Sequence, residues 1–319
     1  MSVLLSTAAL PEIAEDVRIG LTSSPKWLSS RLFYDATGSA LFEQITRVPE
    51  YYLTRTERQI LTSNAKAIAL HAGTNLTLVE LGAGTAEKTR ILIASLLRRQ
   101  LRLDYYPVDV CRDALQVATQ SLTAQFPSLR VRPMVADYCC GLNELDRVPG
   151  RKLVLYLGSS IGNFEPPAAA ALLCNVRASL RPGDALLLGA DMVKPTTVLL
   201  PAYNDAQGVT ARFNKNLLVR TNRELGADFD PKKFRHLVRW NSSSSRIEMH
   251  LRSLCEQRVS IAALGLQVRF APGETIHTEN SYKYTAAMLR SILRQGGFAL
   301  ERTWMDERRW FSLCLARVP

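Results

Sequence analysis

The sequence predicts an α/β fold in which a doubly wound, mostly parallel sheet is joined to a second, mixed α+β lobe. From Leu76 to Met192, strand-like apolar runs and helical stretches alternate five times. The first run, LTLVELGAG, is apolar almost throughout and ends in glycines, which is typical of a buried parallel strand entering a tight turn. Between about residues 195 and 285 the alternation stops. We therefore expect one sheet domain and one lobe.

The elements are justified in chain order by their hydrophobic periodicity. Residues from about 11 to 70 have helical spacing, with an interruption at Pro49 and a restart at Thr54 or Thr56 as a possible cap. The predicted strands are LTLVELGAG, LDYYPVDV, LRVRPMVADY, KLVLYLGSSIGNF and DALLLGADM. The predicted helices between them are EKTRILIASLLRRQ, CRDALQVATQSLTAQF and PPAAAALLCNVRASLRPG.

The later part of the chain has a different rhythm. Two helical stretches are predicted, YNDAQGVTARFNKNLLVRTNREL and FDPKKFRHLVRWN. The segments RIEMHLRSLCEQRVSI and GLQVRFAPGETIHTEN alternate like antiparallel strands, AAMLRSILRQGGF is helical, and ERTWMDERRWFSLCLARV predicts a closing hairpin. We expect residues 61–194 plus 286–319 to form the sheet domain, and residues 1–60 plus 195–285 to form the lobe.

The composition is that of a soluble globular protein, with 47% hydrophobic and 22% charged residues. No apolar run approaches the roughly 20 residues of a membrane helix, and the start lacks a basic leader, so we expect a cytoplasmic protein without a membrane partner. The six cysteines lack zinc-ligand spacing, so no metal is expected. The net charge of +11 is spread along the chain, which favours a basic surface over a nucleic-acid site. We expect a monomer.

A candidate cofactor site follows the first strand, in LVELGAGTAEKT. The strand ends at Glu80, Gly82 and Gly84 allow a tight turn, and a helix follows whose N-terminal amides face the crevice of an open sheet. A dinucleotide site would have a third glycine where this chain has Glu87. Two glycines and an acid favour a nucleoside ligand without pyrophosphate, such as S-adenosylmethionine.

Two further strands also end in acids. Asp109 is placed to accept the ribose hydroxyls, and Asp137 to accept the adenine amino group beside the ring of Tyr138. Alone, each acid fits equally well as a cap before the next turn. Lys88 lies in a first helical turn, where a cation is unfavourable. It is either solvent-exposed or a partner for the cofactor carboxylate.

The chain resembles one known family in six stretches: FYDATGSALFEQITRVPEYYLTRTE, VELGAGTAEKTR, YLGSSIGNF, YNDAQGVTARFN, WNSSSSRIEM and TENSYKY. This family comprises the histidine-specific Nα-methyltransferases that make hercynine, the trimethylated histidine of ergothioneine biosynthesis. The resemblance covers nearly the whole chain. It implies a Rossmann-like class I methyltransferase fold, S-adenosylmethionine as cosubstrate, and the α-amino nitrogen of free L-histidine as the acceptor.

The resemblance also implies a set of site residues. Its cofactor contacts correspond to Gly82, Lys88, Asp109, Asp137 and Tyr138, in agreement with the interpretation of the turn that includes Glu80 and Gly84. Its amino-acid contacts correspond to Tyr34, Tyr51, Asn163 and Tyr203, of which Tyr34 and Asn163 orient the amine as the catalytic pair. Its imidazole contacts correspond to Glu279 and Ser281, with Met249 lining the pocket.

Taken singly, these residues have simpler interpretations. Asn163 beside a glycine is typical of a turn, a tyrosine is usually a core aromatic with a polar tip, and Met249 is more often core packing. The chain departs from the family at Leu53, where proline is usual, and at Asn280 and Tyr282. Another free amino acid, such as a tryptophan-like one, is the main alternative acceptor. RNA or protein methylation and a binding module without catalysis are further alternatives.

Overall fold

The computed structural model describes residues 9–136 and 143–319. Its helices are α1 (Ala9–Thr22), α2 (Ala36–Ile45), α3 (Tyr52–Ala72), α4 (Thr89–Leu97), α5 (Arg112–Gln125), α6 (Pro166–Ala178), α7 (Thr196–Tyr203), α8 (Val209–Leu225) and α9 (Ala286–Gln295). Its strands are β1 (Lys26–Trp27), β2 (Leu76–Leu81), β3 (Leu103–Asp109), β4 (Leu129–Val131), β5 (Met134–Val135), β6 (Arg151–Tyr156), β7 (Ala185–Asp191), β8 (Phe234–Asn241), β9 (Arg246–Ser253), β10 (Gln257–Ile261), β11 (Leu266–Phe270), β12 (Thr275–Tyr282), β13 (Ala299–Met305) and β14 (Phe311–Arg317).

The chain divides into two compact units. The first comprises Met1–Tyr51 with Pro195–Ser281, and the second comprises Tyr52–Lys194 with Tyr282–Pro319. Helix α3 belongs to the second unit, so the lobe boundary expected after residue 60 lies inside this helix. No helix of the described residues is long and apolar enough to cross a membrane.

The second unit is built on one eight-stranded sheet with the order β13-β14-β7-β6-β2-β3-β4, and β5 also pairs with β3. Strands β2, β3, β4, β6 and β7 pair in parallel, whereas β14 is antiparallel to both of its neighbours. The predicted doubly wound, mostly parallel sheet and its closing hairpin are therefore confirmed. Every residue of β2 and β7 is buried, as expected for strands covered on both faces.

The order of the strands reverses between β2 and β6. After β2 the chain continues outward through β3 and β4, and it then returns to the other side of β2 to form β6 and β7. Open α/β sheets bind ligands at the carboxyl ends of the strands where the order reverses. The loops after β2 and after β6 flank this position.

The first unit contains a four-stranded sheet with the order β1-β12-β9-β8 and a separate hairpin of β10 and β11. The segment FDPKKFRHLVRWN was predicted to be helical, and this is wrong, because Phe234–Asn241 pairs antiparallel with Arg246–Ser253 along its whole length. A single long helix beginning at Tyr203 was also wrong. Helix α7 ends at Tyr203 and α8 starts at Val209, since the Asp205 carboxylate accepts the first amides of α8.

Three smaller expectations also change. Helix α3 begins at Tyr52, so neither Thr54 nor Thr56 caps it. The expected strand LRVRPMVADY forms two short strands, β4 and β5, on either side of Pro133, which has no amide hydrogen to donate to a ladder. Strand β6 ends at Tyr156 and is followed by a 3-10 turn, Ser160–Asn163.

Candidate active site

The turn after β2 is shaped by two glycines with left-handed backbones, Gly82 at φ 69° and Gly84 at φ 51°. The amides of Gly82 and Ala83 donate to the carbonyl of Val108 at 2.9 and 3.1 Å, which ties the turn to the end of β3. A Cβ added to Gly84 would meet no atom within 4 Å. The backbone conformation therefore favours glycine there, and the space beside it is open to a ligand.

Asp109 joins this turn to the end of β3. Its Oδ2 accepts the Gly84 amide at 2.8 Å, and its Oδ1 accepts the Cys111 amide at 2.9 Å. Each carboxylate oxygen has a second lone pair, so the half-buried group retains two acceptor positions. The carboxylate is thus held rigidly and fits the pair of hydroxyls of a ribose.

Glu80 lies below the turn and is buried. Its carboxyl group accepts hydrogen bonds from Thr89 Oγ1 at 2.6 Å and from the hydroxyl of Tyr105. Burial raises the pKa of Glu80 to about 7, although both hydrogen bonds oppose the rise. Its described contacts link β2 to the start of α4 and to β3. Its contact with the cofactor stays a prediction.

Lys88 forms an ion pair with Glu57, a residue that the sequence did not single out. Glu57 is fully buried in α3, and its Oε1 and Oε2 accept the Gly158 amide at 2.9 and 3.1 Å. The side chain of Lys88 is 20% exposed, so its ammonium lies between the protein interior and solvent. An ammonium has three hydrogens, and one of them is directed to Glu57.

Asn163 ends the 3-10 turn that follows β6 and is half-buried. The turn packs against the chain that leaves β12, since a Cβ on Gly162 would lie 2.8 Å from the Tyr282 carbonyl oxygen. The Tyr282 hydroxyl donates to Glu165, just beyond the turn. The turn that ends at Asn163 is therefore joined to the end of β12 by a close backbone approach at Gly162 and by a side-chain hydrogen bond at Glu165.

A buried charged group, the Asp191 cluster, lies at the end of β7 and consists of Asp191, Tyr52, Lys194 and Lys283. Asp191 Oδ2 accepts the Tyr52 hydroxyl at 2.6 Å and pairs with the Lys283 ammonium at 2.8 Å. Asp191 Oδ1 pairs with Lys194 Nζ, which also donates to the Tyr52 oxygen at 2.8 Å. The cluster has two cations for one carboxylate, and sequence reasoning missed it.

In the first unit, aromatic contacts connect three of the predicted tyrosines. The ring of Phe42 lies 6.2 Å from that of Tyr34 and 6.3 Å from that of Tyr51, and the Tyr51 ring lies 6.4 Å from that of Tyr203. The hydroxyls of Tyr203 and Ser281 share a hydrogen bond of 2.7 Å. The structure thus brings together Tyr34, Tyr51, Tyr203 and Ser281.

Local hydrogen bonds explain why these tyrosines are held in place. Asp35 follows Tyr34 and caps α2 by accepting the Gly38 amide at 2.7 Å. The Tyr203 carbonyl accepts a hydrogen bond of 2.9 Å from Nε2 of His236. The other ring nitrogen of His236, Nδ1, accepts a hydrogen bond of 2.9 Å from the side-chain amide of Asn214. Burial lowers the pKa of His236, which favours this neutral imidazole. The motifs FYDATGS and YNDAQGVTARFN therefore support the tyrosines.

Glu279 and Ser281 lie two residues apart on β12, where alternate side chains share a face. Met249 is buried on β9, next to β12, and its carbonyl accepts the Thr278 hydroxyl at 3.0 Å. Glu279 is half-buried. These positions stay predicted imidazole contacts.

Two predicted cofactor residues, Asp137 and Tyr138, lie outside the described residues. Within the described ranges there is no group of three or more His, Cys, Asp or Glu side chains that could hold a metal ion. The described turn at Gly82 and Gly84 fits an adenosyl ligand, because it combines open space with a rigid acceptor at Asp109.

Comparison with known proteins identifies the family. The model of the family described as "Histidine-specific methyltransferase, SAM-dependent" matches residues 13–318. A histidine N-alpha-methyltransferase of Mycolicibacterium smegmatis is 45% identical over 98% of this chain and 97% of its own length. The enzyme of that name from Mycobacterium tuberculosis is 43% identical over 95% of this chain and 94% of its own.

A solved structure supports the fold. The PH0226 protein from Pyrococcus horikoshii OT3 matches 90% of this chain and 100% of its own, with a TM-score of 0.50 and 13% identity. At this identity the likeness concerns the fold alone. With its reversed strand order and glycine turn, the second unit has the Rossmann-like fold of class I methyltransferases. The chain belongs to the family of histidine-specific, S-adenosylmethionine-dependent methyltransferases.

Proposed function

We propose that this chain transfers three methyl groups from S-adenosylmethionine to the α-amino nitrogen of L-histidine and so makes hercynine, the first step of ergothioneine biosynthesis. One observation carries the proposal. The family model spans residues 13–318, and relatives 45% and 43% identical over almost their whole length are named histidine N-alpha-methyltransferases. The match therefore includes residues of both compact units.

The donor site is assigned to the carboxyl end of β2 and β3. Gly82 and Gly84 let the backbone approach the adenosyl ligand, and Asp109 accepts its ribose hydroxyls through the lone pairs that its two amide bonds leave. When bound, S-adenosylmethionine supplies an electrophilic methyl group on its sulfonium. Lys88, oriented by Glu57, is assigned to the carboxylate of the donor.

The amino-acid site is assigned to residues that the first unit holds rigidly. Tyr51 and Tyr203 pack against each other, and the Tyr203 hydroxyl fixes Ser281. Glu279 accepts the imidazole N–H in a charge-assisted hydrogen bond, and an amino acid whose side chain has no such donor cannot form this bond. Met249 packs beside the imidazole.

The amine must lose its proton before it can attack the methyl carbon. Tyr34 and Asn163 are assigned to orient it, and Tyr34 passes the proton to water. The amide of Asn163 offers both a donor and an acceptor, which matches a zwitterion. No covalent intermediate is formed on the protein, since the displacement is direct.

The test is a screen of the twenty amino acids with S-adenosylmethionine, read by mass spectrometry. We expect histidine alone to gain mass, in three steps of one methylene unit each. A gain of mass on tryptophan instead of histidine would mean that the acceptor is tryptophan, while the reaction is still methyl transfer from S-adenosylmethionine. Gain on no amino acid, together with salt-dependent affinity for RNA, would contradict the proposal. We further propose that the enzyme acts as a monomer in the cytoplasm, without nucleic-acid or membrane partners.

A further inference from the structure

Glu57 is a fully buried carboxylate with two different kinds of donor around it. One is the backbone amide of Gly158, at 2.9 and 3.1 Å from its two oxygens, and the other is the ammonium of Lys88. Burial of a carboxylate is costly unless its oxygens are hydrogen-bonded and its charge is paired. Glu57 meets both conditions within the second unit.

The neighbouring strand makes room for this carboxylate. A Cβ added to Gly189, in the middle of β7, would lie 2.2 Å from Glu57 Oε1. A glycine inside a buried strand weakens the strand and usually marks a close approach. Gly189 therefore accommodates Glu57, and this explains a glycine for which the strand itself has no use.

The two donors belong to the two loops that flank the reversal of strand order. Lys88 precedes α4 and follows the glycine turn after β2, whereas Gly158 follows β6. The two groups are also close to each other, because a Cβ on Gly158 would lie 3.6 Å from Lys88 Nζ. Glu57 thus holds both sides of the crevice through a single carboxylate.

We propose that Glu57 is a positioning residue of the methyl-donor site. By accepting one hydrogen of the Lys88 ammonium, it directs the remaining hydrogens to the carboxylate of the bound S-adenosylmethionine. By accepting the Gly158 amide, it keeps the loop after β6 next to that ammonium. This inference rests on the proposed function, in which Lys88 meets the donor's carboxylate.

A purely structural role for Glu57 is the competing interpretation. Two ligands distinguish this structural role from the proposed positioning role. S-adenosylhomocysteine has the amino-acid end of the donor, and 5′-methylthioadenosine lacks it. The affinity for S-adenosylhomocysteine divided by that for 5′-methylthioadenosine therefore reports on the amino-acid end of the donor, which carries the carboxylate assigned to Lys88. Loss of stability does not change the ratio, because both ligands bind the same folded fraction.

The experiment measures both affinities by calorimetry for the unaltered chain and for Glu57→Gln, Lys88→Met and the double variant. Glu57→Gln removes the negative charge and replaces one accepting oxygen with an amide nitrogen, which donates and therefore cannot accept from Lys88 or Gly158. We expect the ratio to fall about tenfold in Glu57→Gln, the size of one charge-assisted hydrogen bond. Lys88→Met should lower it at least as far, and the double variant should match Lys88→Met.

Asp184→Asn is the matched control. Asp184 is also a buried carboxylate, and it accepts the amides of Lys152 and Arg181 at 2.7 and 2.9 Å, but it precedes β7 and so lies at the opposite end of the parallel strands. This variant should lower the unfolding temperature and leave the ratio unchanged.

Two results would overturn the inference: a Glu57→Gln ratio within about twofold of the unaltered chain, or a Lys88→Met ratio that does not fall. The double variant removes both charges of the pair, so it provides a folded reference if Lys88→Met alone does not fold. Failure of the proposed function would look different, because the chain would then bind both ligands with the expected ratio and methylate no histidine.

Discussion

Lys194 is the member of the Asp191 cluster whose replacement tests the charge balance of the second unit. Its side chain is 1% exposed, and it shares one carboxylate with Lys283, which is wholly buried. Replacing it as Lys194→Met keeps most of the volume and removes one of two cations. Asp191 would still pair with Lys283 at 2.8 Å and accept the Tyr52 hydroxyl at 2.6 Å.

The expected magnitude follows from the pKa of Lys194, which burial lowers from 10.5 to about 8, with Lys283 adding to the fall and Asp191 opposing it. At about 1.4 kcal/mol per pKa unit, keeping this ammonium charged costs the folded state about 3 kcal/mol at neutral pH. Below about pH 8 both states are protonated and the cost is complete. Between about 8 and 10.5 only the unfolded state keeps the proton, so stability rises with pH across this window.

Lys194→Met should remove this rise. Because the variant also loses donation to Asp191 Oδ1, the Met192 carbonyl and the Tyr52 oxygen, we expect its stability at pH 7 to equal that of the unaltered chain or to exceed it by about 1–2 kcal/mol. Urea unfolding at a series of pH values measures both quantities. Exposed Lys66→Met controls for loss of a surface charge. Parallel pH curves for Lys194→Met and the unaltered chain would refute the reasoning.

The remaining predictions concern the first unit. Asp205→Ala leaves the first two amides of α8 without their acceptor and should lower stability by about 2–3 kcal/mol in thermal unfolding. Burial alone would raise the pKa of Asp205, but hydrogen bonds from the α8 amides lower it below 3.8. In the unaltered chain the stabilisation by Asp205 should therefore be complete above about pH 3.8 and should disappear as the pH falls further. If Asp205→Ala lost stability on acidification to the same extent, the assignment would be contradicted. Tyr203→Phe removes the hydrogen bond to Ser281 and should raise KM for histidine about fivefold without changing KM for the donor; equal changes in both would argue against a substrate role. Glu279→Ala combined with Met249→Ala should shift preference from histidine to tryptophan in competition assays, and unchanged selectivity would count against the proposed imidazole site.

The sheet was predictable because its signals are local. The apolar run that ends at Gly82 and Gly84 encodes a buried strand and a turn within one short stretch, LTLVELGAG. Strand β8 was not predictable in the same way. In FRHLVRW, Phe234, Leu237 and Val238 have helical spacing, while Phe234, His236 and Val238 have strand spacing. Pairing with Arg246–Ser253 decides between the two periods, and that partner is not visible in the local pattern.

The candidate site likewise contains residues whose position follows from a local sequence pattern and residues whose position depends on distant parts of the chain. Asp109 was predictable because an acid at the end of a strand follows directly from the strand pattern. Glu57 was not, because its partners Lys88 and Gly158 are 31 and 101 residues away in the sequence. A glutamate on an amphipathic helix has the same sequence appearance whether it is exposed or buried. Only the fold shows that this one is enclosed.

Gly189 was the one sequence signal for the buried carboxylate of Glu57. A sequence does not show, however, whether a glycine is present for its backbone conformation or for the space that it leaves. Gly84 is favoured by its left-handed backbone, and a Cβ there would have nothing within 4 Å, whereas a Cβ on Gly189 would lie 2.2 Å from Glu57. The first marks open space for a ligand and the second marks occupied space beside a buried charge. Both glycines lie in the sheet of the second unit, Gly84 in the turn after β2 and Gly189 within β7. At Gly84 the absence of a side chain leaves room for a ligand, and at Gly189 it leaves room for the carboxylate of Glu57. The same residue type therefore has opposite steric reasons at the two positions.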